Sequence, residues 1–301
     1  MTEDVLTGLL ARIRRAFPDV AIERPVLISH GADNDVVALD RDWIFRFPRA
    51  APRRGRLAME MALLAAIRNA VDVPLPDYRL VSPEEDFGGY PLIHGCELRD
   101  AVFRAAPRRA REILLSQLAQ LLTVLHGQPA DLLGHSDGAI RRDSRPCDYA
   151  QRYLYRRRDA IAEAAVSPRL VTAFDRFFEA FADMQLGQTR LVHSDLTANH
   201  ILYAPGDEAL AGVIDFGDVA LGDPAHDFAF FWRYGDWAPT FLFEQYGLSG
   251  ADPDLLHRSL WFYVCYCIDR VWRVASSADP CDPTWITNAL PRRFDALGLA
   301  I

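Results

Sequence analysis

The chain has 301 residues, of which 50% are hydrophobic and 25% are charged, and its formal net charge is −8. Such an acidic chain lacks the basic surface with which nucleic-acid-binding proteins neutralise phosphates, so we expect no nucleic-acid partner. Charges interrupt every apolar run well before the ~18 residues of a transmembrane helix, and neither end has a signal-peptide pattern.

We therefore expect a cytoplasmic protein that does not contact a membrane, and a monomer, since nothing in the sequence demands an oligomer.

The first part of the chain combines helices with short strands. Apolar residues at helical spacing predict the helices, and β-rich runs between turn residues predict an antiparallel meander. The predicted helices span residues 4–17 and 54–70, and the predicted strands span 25–29, 35–39, 43–47, 77–81 and 90–93.

From residue 106 onward the pattern becomes mainly helical. The predicted helices span residues 110–126, 149–164, 169–184 and 254–274, and three short predicted strands span 189–192, 200–203 and 212–216. A small sheet-and-helix lobe followed by a larger helical lobe indicates an α+β fold. We place the lobes at residues 1–94 and 95–301, with a hinge near His94.

The basic and sulfur-containing residues limit the chemistry further. The chain contains no lysine, so every fixed cation, including any that binds phosphate, is an arginine. The five cysteines are scattered and lack the paired CxxC spacing of a zinc site. We expect reduced, mostly packed thiols.

Two polar turns, each flanked by apolar β runs, carry the chemical signal. The first contains His193, Asp195 and His200, and the second contains Asp215, fifteen residues after His200. Phosphoryl transfer needs a group that accepts the proton of the attacking hydroxyl, and ligands for a Mg²⁺ ion that bridges the phosphates. Asp195 fits the first role, and Asp215 with a ligand from position 200 fits the second.

The two turns resemble the catalytic and metal motifs of the aminoglycoside phosphotransferase family, and the resemblance extends over most of the chain. Residues 31–35 and 42–48 resemble its nucleotide loop and third strand, and residues 222–228 resemble the segment after the metal aspartate. The most similar pattern is that of the aminoglycoside 2″-phosphotransferase branch. The resemblance implies a protein-kinase-like fold and an antibiotic kinase that transfers the γ-phosphoryl group of ATP or GTP to an aminoglycoside hydroxyl, with Mg²⁺.

Carried over by position, the resemblance implies Asp195 as the catalytic base and His200 and Asp215 as the metal ligands. Arg46 stands where the family has its third-strand lysine, and Glu60 is its helix partner. His200 occupies a metal position that is commonly asparagine. The implied nucleotide-binding residues are Ser29, Gly31, Arg46, Glu60, Leu92 and Ile93.

The acceptor side departs from the 2″ branch, which usually carries a run of carboxylates after the metal motif. The segment 230–237 is mainly aromatic here. The remaining candidates for substrate binding are Asp236, Glu244, Trp261 and Asp269. We expect most rings of this region to pack between helices, and His193, Asp223 and Asp227 to brace loops.

Three other functions remain open at this stage. A macrolide 2′-phosphotransferase would suit the reduced acidic run, because its ligand is larger and more apolar. A small-metabolite kinase would share both turns and differ in the acceptor pocket. A nucleotide-binding pseudokinase would have lost catalysis, whereas Asp195 and Asp215 are both present.

Overall fold

The computed structural model describes residues 2–28, 34–39, 42–49, 54–82, 87–132, 168–275 and 284–299. These residues form two compact units. The first contains the chain up to Gln117, residues 130–132 and Thr197–Val219, and the second contains Leu118–Pro129, the described residues from 168 to Leu196, and those from Ala220 onward. The lobe boundary after residue 94 stays a prediction.

A five-stranded antiparallel sheet dominates the first unit, with the strand order β1-β2-β3-β5-β4. Its strands are β1 (Pro25–Ile28), β2 (Asn34–Leu39), β3 (Trp43–Pro48), β4 (Leu80–Ser82) and β5 (Phe87–Pro91). Helix α1 (Thr2–Ala16) packs against one face, where Leu10 and Ile13 meet Phe45, Phe47 and other buried apolar residues. Because side chains alternate along β3, Ile44 and Arg46 point to the opposite face, where Arg46 meets helix α2 (Arg54–Ile67).

The first unit also contains a smaller sheet, which ends at the polar turn around Asp215. The strands β6 (Cys96–Glu97), β8 (Ile201–Ala204) and β9 (Ala209–Val213) are antiparallel, in the order β6-β8-β9. A 3-10 helix, Phe216–Asp218, follows β9. Helix α3 (Asp100–Ala105) also belongs to this unit, and α4 (Arg108–His126) begins in it.

The second unit is mainly helical. Strand β7 (Arg190–Val192) pairs with β10 (Ala220–Gly222) and leads into the turn that carries Asp195. The helices are α5 (Pro168–Ala182), α6 (Ala225–Phe228), α7 (Trp237–Gln245), α8 (Leu255–Ala275) and α9 (Thr284–Ala296), with 3-10 turns at Ala229–Tyr234 and Ser249–Ala251. Stacked rings of Phe177, Phe181 and Trp261 form part of its core.

The predicted α+β class is confirmed, and most predicted elements lie within a few residues of the observed ones. Three predicted strands are displaced by about three residues: 77–81, 90–93 and 212–216 correspond to β4, β5 and β9. The last ends early because Asp215 adopts a left-handed backbone conformation that a strand cannot contain. The predicted helix over 149–164 lies outside the described residues.

None of the helices in the described part of the chain is long and apolar enough to cross a lipid bilayer. Cys96, Cys265 and Cys267 are free thiols. Cys147 and Cys281 lie outside the described residues.

Candidate active site

A buried arginine lies at the centre of the polar cluster in the first unit. The Nη1 atom of Arg46 donates to both carboxylate oxygens of Glu60, at 2.6 and 2.9 Å, and Nη2 donates to Asp215 Oδ1 at 2.5 Å. Arg46 is only 5% exposed and Glu60 only 2%. One guanidinium therefore joins strand β3, helix α2 and the turn after β9.

The charges of this cluster offset one another. Burial alone would lower the pKa of Arg46, but Glu60 and Asp215 raise it well above its ordinary value, so the guanidinium stays charged. Burial raises the pKa of Glu60 to about 7, while Arg46 acts in the opposite direction. The Tyr78 hydroxyl donates to Glu60 Oε1 at 3.2 Å. The cluster is therefore a fixed cation held between two carboxylates.

Asp215 presents its carboxylate from a strained turn. Its backbone is left-handed, with φ 64° and ψ 60°, which few residues other than glycine adopt. Phe216 is 1% exposed and anchors the turn, whereas the Asp215 side chain is 41% exposed. The Nε2 atom of His200 lies 3.4 Å from Asp215 Oδ2. Because the Ile214 amide donates to the His200 carbonyl at 2.9 Å, the two segments are held side by side.

Asp215 and His200 fit a Mg²⁺ ion whose other ligands are mostly water molecules and phosphate oxygens. Mg²⁺ prefers oxygen ligands and is usually bound through one or two carboxylates. The partly exposed Asp215 carboxylate supplies such oxygens, and His200 adds an acceptable, softer nitrogen. Among the residues that the structure describes, no cluster of three or more metal-binding side chains is present. A closed, all-protein cage is therefore not what this turn offers.

Two of the remaining nucleotide candidates lie beside the large sheet. Leu92 and Ile93 follow β5 and are half-buried, and the Leu92 amide donates to the Asp42 carbonyl at 2.8 Å. Ser29 and Gly31 lie outside the described residues.

An apolar strip that the motifs had not indicated shares the sheet face of Arg46. Ile28 pairs with Val36, and Val36 pairs with Arg46; Val26 pairs with Ala38 in the same way. Directly opposed residues of antiparallel strands lie on one face. Val26 is 57% exposed and Ile28 39%. The alternation in β1 and β2 would have revealed this strip once the strand register was known.

Asp195 belongs to the second unit, in the turn after β7. Ser194, which precedes it, is left-handed with φ 68°. The Asp227 carboxylate accepts hydrogen bonds from the His193 amide at 2.7 Å and from the Ser194 amide at 2.9 Å. Asp227 thus braces the turn, as expected, and the side chain of Asp195 in that turn is half-buried.

A buried network holds Asp227 in turn. A carboxylate only accepts, so His126 Nε2 donates to Asp227 Oδ2 at 3.1 Å, and Nδ1 accepts from the Tyr246 hydroxyl at 2.8 Å. Burial would raise the pKa of Asp227, but the hydrogen bond to His126 and the neighbouring histidines hold it below its ordinary value. Asp227 therefore acts as an ionised brace.

Asp223 is likewise a bracing residue. It accepts the Gly187 amide and the Ala225 amide, each at 2.9 Å, and forms a buried ion pair with Arg258 at 2.7 Å.

The acceptor candidates are placed less favourably for binding a cation. Asp236 is bonded to Arg292 and, at 2.5 Å, to Arg293. Asp269 pairs with Arg273 at 2.6 Å, one helical turn away on α8. Two carboxylates are thus already matched by guanidinium groups.

The other two acceptor candidates differ in exposure. Trp261 is 8% exposed and stacks on Phe177 with ring centroids 5.3 Å apart, as expected for a packing residue. Glu244 is exposed on α7.

Sequence reasoning missed two contacts of the first unit. Tyr78 supports Glu60, and Arg56 on α2 bonds to Asp218 Oδ1 at 2.9 Å. The four-residue spacing of Arg56 and Glu60 places both on one helix face, which was the available signal.

The chain is similar to known proteins over most of its length. A family model described as a phosphotransferase enzyme family matches residues 26–259. An uncharacterized protein of Bacillus subtilis strain 168, YcbJ, is 25% identical over 261 residues, which covers 83% of each chain.

Solved structures share the fold. The GDP complex of wild-type aminoglycoside 2′-phosphotransferase-IIIa has a TM-score of 0.69 at 22% identity, over 97% of this chain and 98% of that one. The apoenzyme of macrolide 2′-phosphotransferase MphH from Brachybacterium faecium has a TM-score of 0.63 at 22% identity, over 95% and 98%. The predicted fold and the predicted phosphotransferase class are confirmed: the chain belongs to the APH phosphotransferase enzyme family.

Proposed function

We propose that this enzyme transfers the γ-phosphoryl group of ATP or GTP to a hydroxyl of an antibiotic, with an aminoglycoside as the first candidate acceptor. The observation that supports this most directly is the buried Arg46, bonded on one side to Glu60 and on the other to the partly exposed Asp215. Phosphoryl transfer relies on such a positioned cation and a nearby metal-binding carboxylate.

The first unit would bind the nucleotide. Arg46 would hold phosphate oxygens through its planar, permanently charged guanidinium, and Glu60 fixes its orientation. The exposed apolar strip of Val26 and Ile28 would carry the base on the same sheet face. Asp215 and His200 would hold Mg²⁺, which when bound neutralises charge on the phosphate oxygens.

The second unit would supply the base. As the acceptor oxygen forms its bond to the γ-phosphorus, the bond from phosphorus to the bridging β-phosphate oxygen breaks, and the hydroxyl proton passes to the Asp195 carboxylate. The brace from Asp227 to the two amides before Asp195 fixes the backbone from which this carboxylate projects. A positioned base of this kind contributes about 10²–10⁴-fold to the rate.

The aminoglycoside assignment is supported by the shared fold with an aminoglycoside phosphotransferase that has been solved with GDP and kanamycin. One observation favours the second candidate, a macrolide 2′-hydroxyl. Asp236 and Asp269 are already paired with arginines, so they are less available to a polycationic aminoglycoside. A larger, more apolar acceptor would not need them.

A turnover assay with ATP and GTP against kanamycin and erythromycin distinguishes the two acceptors, with product mass analysis to locate the phosphate. Asp195→Asn should lower kcat by about 10²–10⁴-fold and leave nucleotide affinity unchanged. Wild-type turnover of neither antibiotic would reject the acceptor class, whereas full activity of the variant would reject Asp195 as the base. A pseudokinase would bind nucleotide and turn over nothing.

A further inference from the structure

Helix α2 contacts the turn Phe216–Asp218, which directly follows Asp215, at two points. Arg56 and Glu60 are four residues apart on α2, so they lie on the same face, one turn from each other. Glu60 interacts with Phe216 at the beginning of the turn, and Arg56 bonds to Asp218 at its end.

The first link runs through Glu60. Its carboxylate is hydrogen-bonded to the Phe216 backbone and to Arg46, and Arg46 reaches Asp215 Oδ1 at 2.5 Å. The second link is direct, since Arg56 Nη1 donates to Asp218 Oδ1 at 2.9 Å. Both carboxylates of the turn are therefore bonded to arginines whose positions α2 controls.

The turn needs such support because its first residue is strained. A left-handed conformation at a residue other than glycine costs about 1–3 kcal/mol and persists only where the surroundings fix it; Asp215 has φ 64° and ψ 60°. The turn is also packed tightly: a Cβ atom at Gly217 would lie 3.1 Å from Arg46 Nη2. Fixing both ends of the turn therefore fixes the direction of the Asp215 carboxylate.

We propose that Arg56 is a positioning residue of the phosphoryl-transfer site, which holds Asp218 and thereby orients the metal-binding Asp215. In this role Arg56 acts through its bond to Asp218. The inference rests on the proposed function, because it assumes that Asp215 binds the metal. It assigns Asp218 to the support of the turn and not to the metal.

The exposure of the pair sets the size and salt dependence of the effect. The side chains of Arg56 and Asp218 are 28% and 40% exposed. Ion pairs at such exposure contribute little and are screened by salt, so their loss should weaken metal binding by only about two- to fivefold. The loss should diminish at high ionic strength.

The test measures Mn²⁺ binding by electron paramagnetic resonance, with and without a non-hydrolysable nucleotide, so no turnover is required. Arg56→Ala and Asp218→Asn should each raise the Mn²⁺ Kd about two- to fivefold, and the double variant no further than either alone. Arg56→Lys should restore part of the affinity. Arg108→Ala is the matched control, since it removes an exposed arginine that pairs with Glu112 at 2.8 Å on α4.

The outcomes separate the two hypotheses. If the wild type binds no Mn²⁺ with nucleotide, the proposed function fails. If the wild type binds and Arg56→Ala matches it, only the positioning role is refuted. A loss in Asp218→Asn far beyond that in Arg56→Ala would make Asp218 a metal ligand and overturn the assignment. Equal thermal unfolding of the variants without metal keeps misfolding from explaining the result.

Discussion

At the residue scale, Asp215 combines an unfavourable backbone conformation with an exposed carboxylate. Asparagine tolerates the left-handed region better than alanine does. Asp215→Asn and Asp215→Ala should both lose metal affinity, because both remove the charged carboxylate, while the alanine variant should have the lower free energy of unfolding, by about 1 kcal/mol. Urea titration and Mn²⁺ binding measure the two quantities. Equal stability of both variants would mean that the turn stores no strain.

The ionised brace at Asp227 predicts a pH effect. Its pKa is lowered in the folded protein, so its stabilisation is complete above the unfolded value of about 3.8 and is lost as pH falls through the lower folded value. The stability difference between the wild type and Asp227→Asn should therefore shrink below about pH 4. Urea unfolding between pH 3 and 6 gives the difference. A gap that widens in acid would show that Asp227 is not held ionised.

At the element scale, β5 depends on two adjacent glycines. A Cβ atom at Gly89 would lie 2.6 Å from the Phe45 ring, and one at Gly88 would lie 2.9 Å from the Tyr78 ring. Phe45 is fully buried and cannot withdraw. Gly89→Ala should therefore lower the free energy of unfolding by about 1–3 kcal/mol.

Gly8 provides the matched control for that substitution. It lies inside α1 with nothing within 4 Å of an added Cβ atom. Gly8→Ala should stabilise the protein by about 0.5–1 kcal/mol, because alanine favours the helix. Denaturant unfolding of both variants checks the pair, and a tolerated Gly89→Ala would mean that the sheet adjusts locally.

The elements that sequence reasoning located have clear local signals. Helices α1, α4, α5 and α8 have apolar faces at helical spacing, and β1 to β3 are short β-rich runs between turn residues. Helices α7 and α9 were missed: α7 is apolar over most of its surface, and α9 contains Pro291, which normally ends a helix. Their positions depend on packing within the second unit, which no local pattern encodes.

Likewise, only some contacts of the candidate site could be predicted from the sequence. The pairing of Arg46 with Glu60 and the nearness of His200 to Asp215 followed from the family motifs. The bonds from Tyr78 to Glu60 and from Arg56 to Asp218 join residues that are distant in sequence or outside the motifs. Only the folded chain brings them together.

At the scale of the whole molecule, the absence of lysine means that arginine supplies the permanent positive charge of the ion pairs. All 33 side chains with a permanent positive charge are arginines, which bond carboxylates through a planar fork. Arg46 uses separate nitrogens for Glu60 and Asp215. A lysine ammonium would have to make both bonds from a single nitrogen.

This composition predicts resistance to amine-specific chemistry. Reductive methylation converts lysine amines to dimethylamines and removes hydrogen-bond donors, yet here it can modify only a terminal amine. Phosphoryl transfer should therefore be unchanged after complete methylation, with mass spectrometry confirming one modified amine at most. Arg46→Lys is the positive control: methylation should weaken its nucleotide binding, and bound nucleotide should protect it. A wild-type loss of activity that follows methylation would show that catalysis depends on an amine, and Arg46 would no longer be the cation of the site.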